Sequence, residues 1–516
     1  MTDSKASDAL QILLENAREY DTFEVTVFMR GEPAREALNR GAGPDSAKSA
    51  VEDIKSRAAA EQQGVLEFLS EASRSARTVD DSVSVPRATA IETSWVTNSI
   101  SAQVTPEVLR ELLERDDVLS VDLARTVDVN ELLDQPTSTP TKAKKKTRGD
   151  GGAAPAKKAR PAAAAVPQGT PTWSVQRINA PLLWQLGITG EGVLAAVIDT
   201  GVNYRHPDLN SQMWDGGDTY PNHGYDFESN DTNPVDEAGH GTSCAGIVAG
   251  NGAKGQGTGV APKATVMALR VGGRETNYWK AFEFAIDHGV QVISMSMSWK
   301  YPSNPNYTGW RRASEGLAAA GILHANSIGN QGEELSTHPI PYNIATPGNC
   351  PPPRLHPLQN PVGGTASAIG CGATDNADRL AGYSGRGAAE WNAAPYADYP
   401  YQGGARPGLI KPDVCAPGPG TTSCNWQYTP GSNNATPYSS FGGTSSATPH
   451  VGGCLVLLAH ACMKAGKPIV PANVQEALEN TAVRMPGQTR DKENNFGAGR
   501  VDVYAAYRYG HDKGWW

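Results

Sequence analysis

Phe441-Gly-Gly-Thr-Ser-Ser-Ala-Thr-Pro-His450, running on into Val451-Gly-Gly-Cys-Leu-Val-Leu-Leu458, reads as a tight glycine turn that opens a buried apolar helix. The glycines and a threonine allow close backbone approach, and Pro449 is expected in the first helical turn, where a missing N–H costs nothing. Ser445 then sits at the mouth of the helix, among backbone N–H groups that have no partner inside it. A positive helix end beside a hydroxyl favours developing negative charge. On this stretch alone two readings of Ser445 stand, an N-cap and a nucleophile.

Two other stretches supply what a nucleophile lacks. Val193-Leu-Ala-Ala-Val-Ile-Asp-Thr-Gly-Val202 is a buried strand ending in a carboxylate, Asp199. His240-Gly-Thr-Ser-Cys-Ala-Gly-Ile-Val-Ala-Gly250 opens a second small-residue helix with a histidine. A serine hydroxyl is a weak nucleophile at neutral pH and needs a base. A histidine base in turn needs a carboxylate to fix its tautomer and stabilise its charged form.

At these residues the chain resembles the subtilisin-like serine proteases, the subtilase family. The Asp-Thr-Gly, His-Gly-Thr and Gly-Thr-Ser-x-Ala-x-Pro blocks stand in the family's order. The resemblance implies Asp199 as orienting carboxylate, His240 as general base and Ser445 as nucleophile. A fourth block, His324-Ala-Asn-Ser-Ile-Gly-Asn-Gln-Gly332, resembles the loop whose asparagine completes the family's oxyanion hole. Gly329 and Gly332 frame Asn330 for that role, and Asn326 competes for it. Ser294-Met-Ser-Met-Ser298 resembles the strand that pairs with extended substrate. The implied substrate-binding residues are Ser296, Met297 and Ser298, faced by Ser327, Ile328 and Gly329. Ser298 stands where the family usually has glycine, which narrows the expected pocket entrance. The insertion from Tyr342 to His356 resembles one in a bacterial branch of the family and leaves the preferred side chain open.

The chain has 516 residues, enough for more than one domain. No stretch reads as a bilayer span. Met1-Thr-Asp-Ser-Lys-Ala-Ser-Asp-Ala-Leu10 lacks a basic segment followed by an apolar one, so no signal peptide and a cytoplasmic location are expected, with signal-independent export left open. Seven scattered cysteines do not resemble a disulfide framework, and only Cys415 and Cys424 are spaced for a bridge. Net charge is −9, although eight Lys/Arg and one Asp fall between 135 and 169. The chain is therefore an acidic protein with one basic segment.

Residues 1–20 read as a short amphipathic helical extension with Leu10, Ile12, Leu13 and Leu14 on its apolar side. Over 21–134, strands are expected at Phe23–Met29, about 87–91, 96–104 and Val118–Leu123, with helices at 49–72 and from Pro106. That β-α-β-β-α-β order is a ferredoxin-like α+β domain. In front of a subtilase it resembles the family's propeptide, an intramolecular inhibitor and folding helper; an unrelated binding module is the alternative. Residues 135–169, rich in Pro, Ala, Thr and Lys, read as a disordered basic linker. Its cluster Lys142, Lys144, Lys145, Lys146, Arg148, Lys157, Lys158 and Arg160 is read as solvated, not as a nucleic-acid contact. From 170 to 516, strands alternate with helices, which means an α/β domain: a parallel sheet with helices on both faces and ligands at the strands' C-terminal ends.

The implied activity is that of a serine endopeptidase cutting proteins through an acyl-enzyme, made as a self-inhibited, autoprocessing zymogen. No cofactor and no membrane partner are expected. His206-Pro-Asp-Leu209 matches a family motif whose Asp often helps bind structural calcium. The accompanying Asn251-Gly-Ala-Lys-Gly-Gln-Gly257 offers few oxygens and a lysine, so the reading leans against a site at Asp208. His206 and His450 are read as loop and helix histidines, not as metal ligands. Cys244, one turn beyond His240, is either a buried small hydrophobe or a thiol-sensitive spot behind the base. Two rivals remain: an idle fold used for binding, disfavoured because all four candidate catalytic residues are present, and a nucleic-acid-tethered factor, which would bind in a salt-sensitive way.

Overall fold

The computed structural model describes residues 5–18, 21–41, 46–80, 83–133, 169–393, 395–403, 406–431 and 436–516. The expected linker 135–169 with its lysines lies outside them except for Gly169. The N-terminal region holds β1 (Phe23–Met29), β2 (Ala88–Ser94), β3 (Ser99–Val104) and β4 (Val118–Leu123). They form an antiparallel sheet in the order β2-β3-β1-β4. The helices α1 (Asp8–Glu15), α2 (Ala47–Arg74) and α3 (Pro106–Glu114) accompany this sheet. The alternation that suggested the strands is what puts Val25, Val27, Ile100, Ala102 and Val121 into one core with Leu69, Val108 and Leu112. The N-terminal segment joins that core through Ala6 and Leu10, while Ile12 and Leu13 face outward. Val96, expected inside a strand, lies in the Trp95–Asn98 turn between β2 and β3, where Asn98 takes a left-handed φ of 49°.

The larger region is built on seven parallel strands: β5 (Leu194–Asp199), β6 (Gly224–Asp226), β7 (Thr265–Arg270), β8 (Val292–Met295), β9 (Leu323–Ser327), β10 (Ala368–Thr374) and β11 (Val414–Pro417). Their order is β11-β10-β9-β8-β5-β7-β6. The strands are mostly apolar or small because helices cover both faces, with His324 and Asn326 of β9 and Arg270 at the end of β7 among the exceptions. α4 (Val129–Leu132) is a single turn in the tail that leaves the N-terminal region; α5 (His240–Ala249), α6 (Glu275–Asp287), α7 (Tyr307–Ala319) and α8 (Thr444–Lys464) belong to the larger region.

α8 crosses β8 to β11 and packs on α5. Its residues Thr444 to Cys462 are all buried. Its 21 residues are long and apolar enough to cross a bilayer, contrary to the sequence reading, but here they form the core of the fold. Pro449 also departs from expectation: α8 begins at Thr444, so the proline falls in the second turn. Its missing N–H would have bonded the carbonyl of Ser445. That carbonyl accepts instead from Ser296 Oγ at 3.1 Å. All seven cysteines are buried and free, so Cys415 and Cys424 are not bridged.

The N-terminal region docks on α6 and α7. Glu283 of α6 accepts from Ser94 Oγ at 2.8 Å and Val96 N at 3.0 Å. Arg312 Nη1 donates to the carbonyls of Met29 and Thr97 at 3.0 and 3.2 Å. Phe28 meets Trp279 edge-on, and Lys280 pairs with Glu92. The tail then runs over the larger region: Val127 N donates to Gly273 O at 3.0 Å, and Leu133 forms an antiparallel bridge with Met297.

Candidate active site

The helices α5 and α8 each begin after a glycine with positive φ, Gly239 at 98° and Gly443 at 82°. Other residues adopt that backbone only under strain, and a Cβ on Gly239 would also strike the Trp426 ring. These turns bring the start of α5 to the C-terminal end of β5 and the start of α8 to Ser296 and Asn330, past the ends of β8 and β9. His240 Nδ1 lies 2.7 Å from Asp199 Oδ1, with both side chains 1% exposed. A carboxylate can only accept, so the proton of this bond sits on Nδ1 and the lone pair on Nε2. Thr200 N donates to the same Asp199 oxygen at 2.8 Å. The imidazole meets Phe441 edge-on with ring centres 5.3 Å apart.

Ser445 follows Thr444 at the start of α8, and its Oγ donates to Ser296 O at 3.4 Å. Asn330 accepts through Oδ1 from Thr444 N at 2.9 Å and Thr444 Oγ1 at 3.0 Å, which fixes its amide beside Ser445. Asn326, its competitor, is a tie between strands: its Nδ2 donates to Met295 O at 2.9 Å and Met297 O at 3.4 Å. The structure thus brings Asp199, His240, Ser445 and Asn330 to one edge of the sheet.

The two expected walls lie past the ends of β8 and β9. Ser327 Oγ donates to Ser298 Oγ at 3.2 Å, so the serine in the usual glycine position links the walls. The carbonyls of Ile328 and Gly329 accept from Ala345 and Gly385 at 3.0 and 3.1 Å and are occupied by the protein. The Tyr342–His356 insertion is tied in by paired backbone bonds between Trp299 and Thr346, 2.7 and 2.9 Å.

Asp208 Oδ1 accepts from Lys254 N at 2.9 Å and Oδ2 from Tyr438 OH at 2.6 Å, while its carbonyl accepts from Asn251 N. Protein donors thus meet the oxygens that a calcium ion would claim, and the donor set does not fit that ion. His206 Nε2 lies 2.8 Å from Pro437 O and His450 Nδ1 2.7 Å from Ser446 O, each bonded to nearby backbone.

Two features escaped the sequence. One is Pro449, which frees the Ser445 carbonyl. The other is Asp236, a buried carboxylate surrounded by donors four residues before His240. Cys244 Sγ lies 3.9 Å from His240 Nδ1 and 3.6 Å from Ser445 O. Burial, and then the Asp199 charge, holds its thiol well above the ordinary range and therefore neutral.

A parallel α/β sheet with a buried His–Asp pair and a serine at a helix mouth is the arrangement of a serine hydrolase. Comparison with known proteins gives the family: the sequence model of the subtilase family matches residues 190–499. Thermitase of Thermoactinomyces vulgaris is 30% identical over 346 residues, 65% of this chain and 95% of the relative. Subtilisin BL of Lederbergia lenta is 31% identical over 345 residues, 65% of this chain and 98% of the relative. Subtilisin E of Bacillus subtilis (strain 168) is 28% identical over 341 residues, covering 65% and 70%. The chain belongs to the subtilase family and is a serine endopeptidase acting on proteins. The cytoplasmic location expected from its first residues is corrected by these relatives, since thermitase and the subtilisins are secreted, extracellular proteases.

A group added to Cys244 would displace the imidazole beside it. A bulky organomercurial is expected to inactivate the protein and to leave Cys244→Ala active, as followed by residual peptidase activity against time. Equal loss in both proteins would assign Cys244 to packing alone.

Proposed function

We propose that this endopeptidase uses Asp199, His240, Ser445 and Asn330 as its catalytic set and is made as a zymogen held off by its own N-terminal region. The observation that carries the catalytic reading is the buried 2.7 Å contact between His240 and Asp199 beside the start of α8. Ser445 Oγ attacks the scissile carbonyl carbon while His240 Nε2 takes its proton. Asp199 holds the ring in the required tautomer and stabilises the imidazolium. The oxyanion accepts from the Asn330 NH2, whose amide oxygen is already anchored on Thr444, and from a backbone N–H at the start of α8. His240 then protonates the leaving amine, and water releases the acyl group by the reverse sequence. The backbone of Ser296, Met297 and Ser298 takes the substrate as an added strand, with Ser327, Ile328 and Gly329 forming the opposite wall.

Latency is supported by the pairing of Leu133 with Met297, which occupies that edge, and by the bond from Lys300 Nζ to Glu131 O at 2.8 Å. A tail tethered to a docked domain competes with substrate at high effective concentration, so cutting the chain does not by itself free the cleft. No calcium is assigned to Asp208, and none is needed for the chemistry.

Ser445→Ala is expected to abolish both proteolysis and self-processing. Asn330→Ala should lose about a hundred- to thousandfold in kcat, the effect known for a subtilisin oxyanion donor and carried over here. Full turnover in Asn330→Ala would remove it from the catalytic set.

Residues 1–134 added to the isolated 170–516 fragment should inhibit it stoichiometrically, with pH dependence set by the interface. Burial raises Glu283, which accepts from Ser94 and Val96 across the interface, to about 7 in the docked state. Facing water, it returns to the ordinary carboxylate value near 4.5, so docking takes up a proton. Affinity is therefore greatest below that value, falls as pH rises through about 7, and levels off above. An inhibition constant that stays flat from pH 5 to 8 contradicts this account; a constant that rises with pH, measured in the same series with the fragment's fold checked by circular dichroism, agrees with it.

Dialysis against a calcium chelator is expected to leave activity and melting temperature unchanged with respect to the Asp208 loop. A loss reversed by calcium and abolished in Asp208→Asn would overturn that assignment.

A further inference from the structure

Asp236 is a buried carboxylate to which the chemistry above gives no task. Its Oδ1 accepts from Thr200 Oγ1 at 3.0 Å, Ala238 N at 2.9 Å and Gly239 N at 2.7 Å. Its Oδ2 accepts from Thr242 N at 2.8 Å and Thr242 Oγ1 at 2.6 Å. The partners themselves are cross-linked. Thr200 Oγ1 accepts from Gly241 N at 3.0 Å, and Thr242 Oγ1 accepts from Asn203 N at 2.8 Å. Thr200 follows Asp199 in the chain, and Gly239 to Thr242 bracket His240. α5 has no side-chain N-cap of its own because Gly239 precedes it, so the Asp236 carboxylate serves the first-turn donors from outside.

We infer that Asp236 is a positioning residue for peptide hydrolysis: its carboxylate ties the segment carrying Asp199 to the segment carrying His240 and so sets the geometry of that pair. The inference rests on the reading of Asp199 and His240 as the catalytic pair. Asp236 touches neither reacting atoms nor substrate, and it acts through both partners at once. Five donors converge on two acceptor oxygens, so replacing either oxygen by an NH2 group sets donor against donor. With Asn at 236 the amide faces either the two donors of Thr242 or the three of Thr200, Ala238 and Gly239. Either way one of the two segments moves relative to the other. Displacement of a catalytic group by about 1 Å costs on the order of a hundredfold in rate.

The test is steady-state kinetics against pH for wild type, Asp236→Asn, Thr200→Val and Thr200→Ser, with Asp199→Ala and Ser445→Ala as references and a melting curve for each. Mature enzyme is counted by active-site titration, so that slow self-processing is not read as slow turnover. Asp236→Asn should lose about ten- to a hundredfold in kcat with KM within about twofold. The acid limb of its kcat/KM profile should move to lower pH, because an Asp199 displaced from the ring no longer supports the imidazolium. Thr200→Val should move both readouts in the same direction, and Thr200→Ser, which keeps the hydroxyl, should restore them. Should Asp236→Asn not fold, the Thr200 pair decides. Wild-type kcat and acid limb in folded Asp236→Asn, or in Thr200→Val, overturn the inference. So does a lower melting temperature with an unchanged pH profile, which would mean support of the fold alone. If Asp199→Ala itself keeps wild-type activity, the catalytic reading has failed; if it is inactive while Asp236→Asn is not impaired, only the present inference falls.

Discussion

A carboxylate and an imidazole held in contact away from water form the constraint on which the rest of this protein depends. Desolvating Asp199 is costly unless donors meet it, and the bonds from His240 and Thr200 both fall on its Oδ1. Those two bonds require the end of β5 and the start of α5 to arrive in one place at one angle. The parallel sheet does this by ending an interior strand, β5, at Asp199, and Gly239 does it by turning the chain in a conformation that suits glycine. The hydrogen bonds around Asp236 join the two arrivals.

The nucleophile side is built on a different principle. α8 is buried along nearly all its length, so its position is set by packing against β8 to β11, while its first turn is held by side chains from neighbouring loops. Asn330 binds Thr444, and Ser296 takes the Ser445 carbonyl that Pro449 leaves without an intrahelical donor. A proline that interrupts a helix thereby becomes the means of locking that helix to the strand beside the substrate cleft. The N-terminal tail meets the chain just past that strand at Leu133, so under the proposed latency the tail and substrate compete for one row of backbone groups.

The parts of this architecture legible in the sequence are those written in contiguous residues. Asp-Thr-Gly, His-Gly-Thr and Gly-Thr-Ser each encode a local turn and one reactive side chain, and alternation or helical spacing marked the strands and helices around them. Contacts between distant segments were not legible. The strand order joins β5 to β8 and β7, which no local pattern announces, and the Leu133–Met297 register has no sequence signal. Asp236 draws its donors from Thr200, Ala238, Gly239 and Thr242, so in sequence it is one more loop aspartate. The short helix Pro33–Asn39 carries too little periodicity in seven residues to be read, and Val96 falls outside its expected strand because the turn closed by left-handed Asn98 delays the start of β3 to Ser99. Pro449 was misplaced by a helix start that differs by only a few residues, yet that difference decides which carbonyl is freed.

The central claim is that one serine among several at the start of α8 is made nucleophilic by the His240–Asp199 pair. Ser446 adjoins it, but its hydroxyl lies 2.7 Å from Thr421 Oγ1, away from the imidazole partner assigned here. Labelling the processed enzyme with a fluorophosphonate and locating the adduct by peptide mass spectrometry tests this directly. The account predicts a single adduct on Ser445 that disappears in His240→Ala. An adduct on Ser446 or another hydroxyl, or an active enzyme that takes up no label, would contradict it.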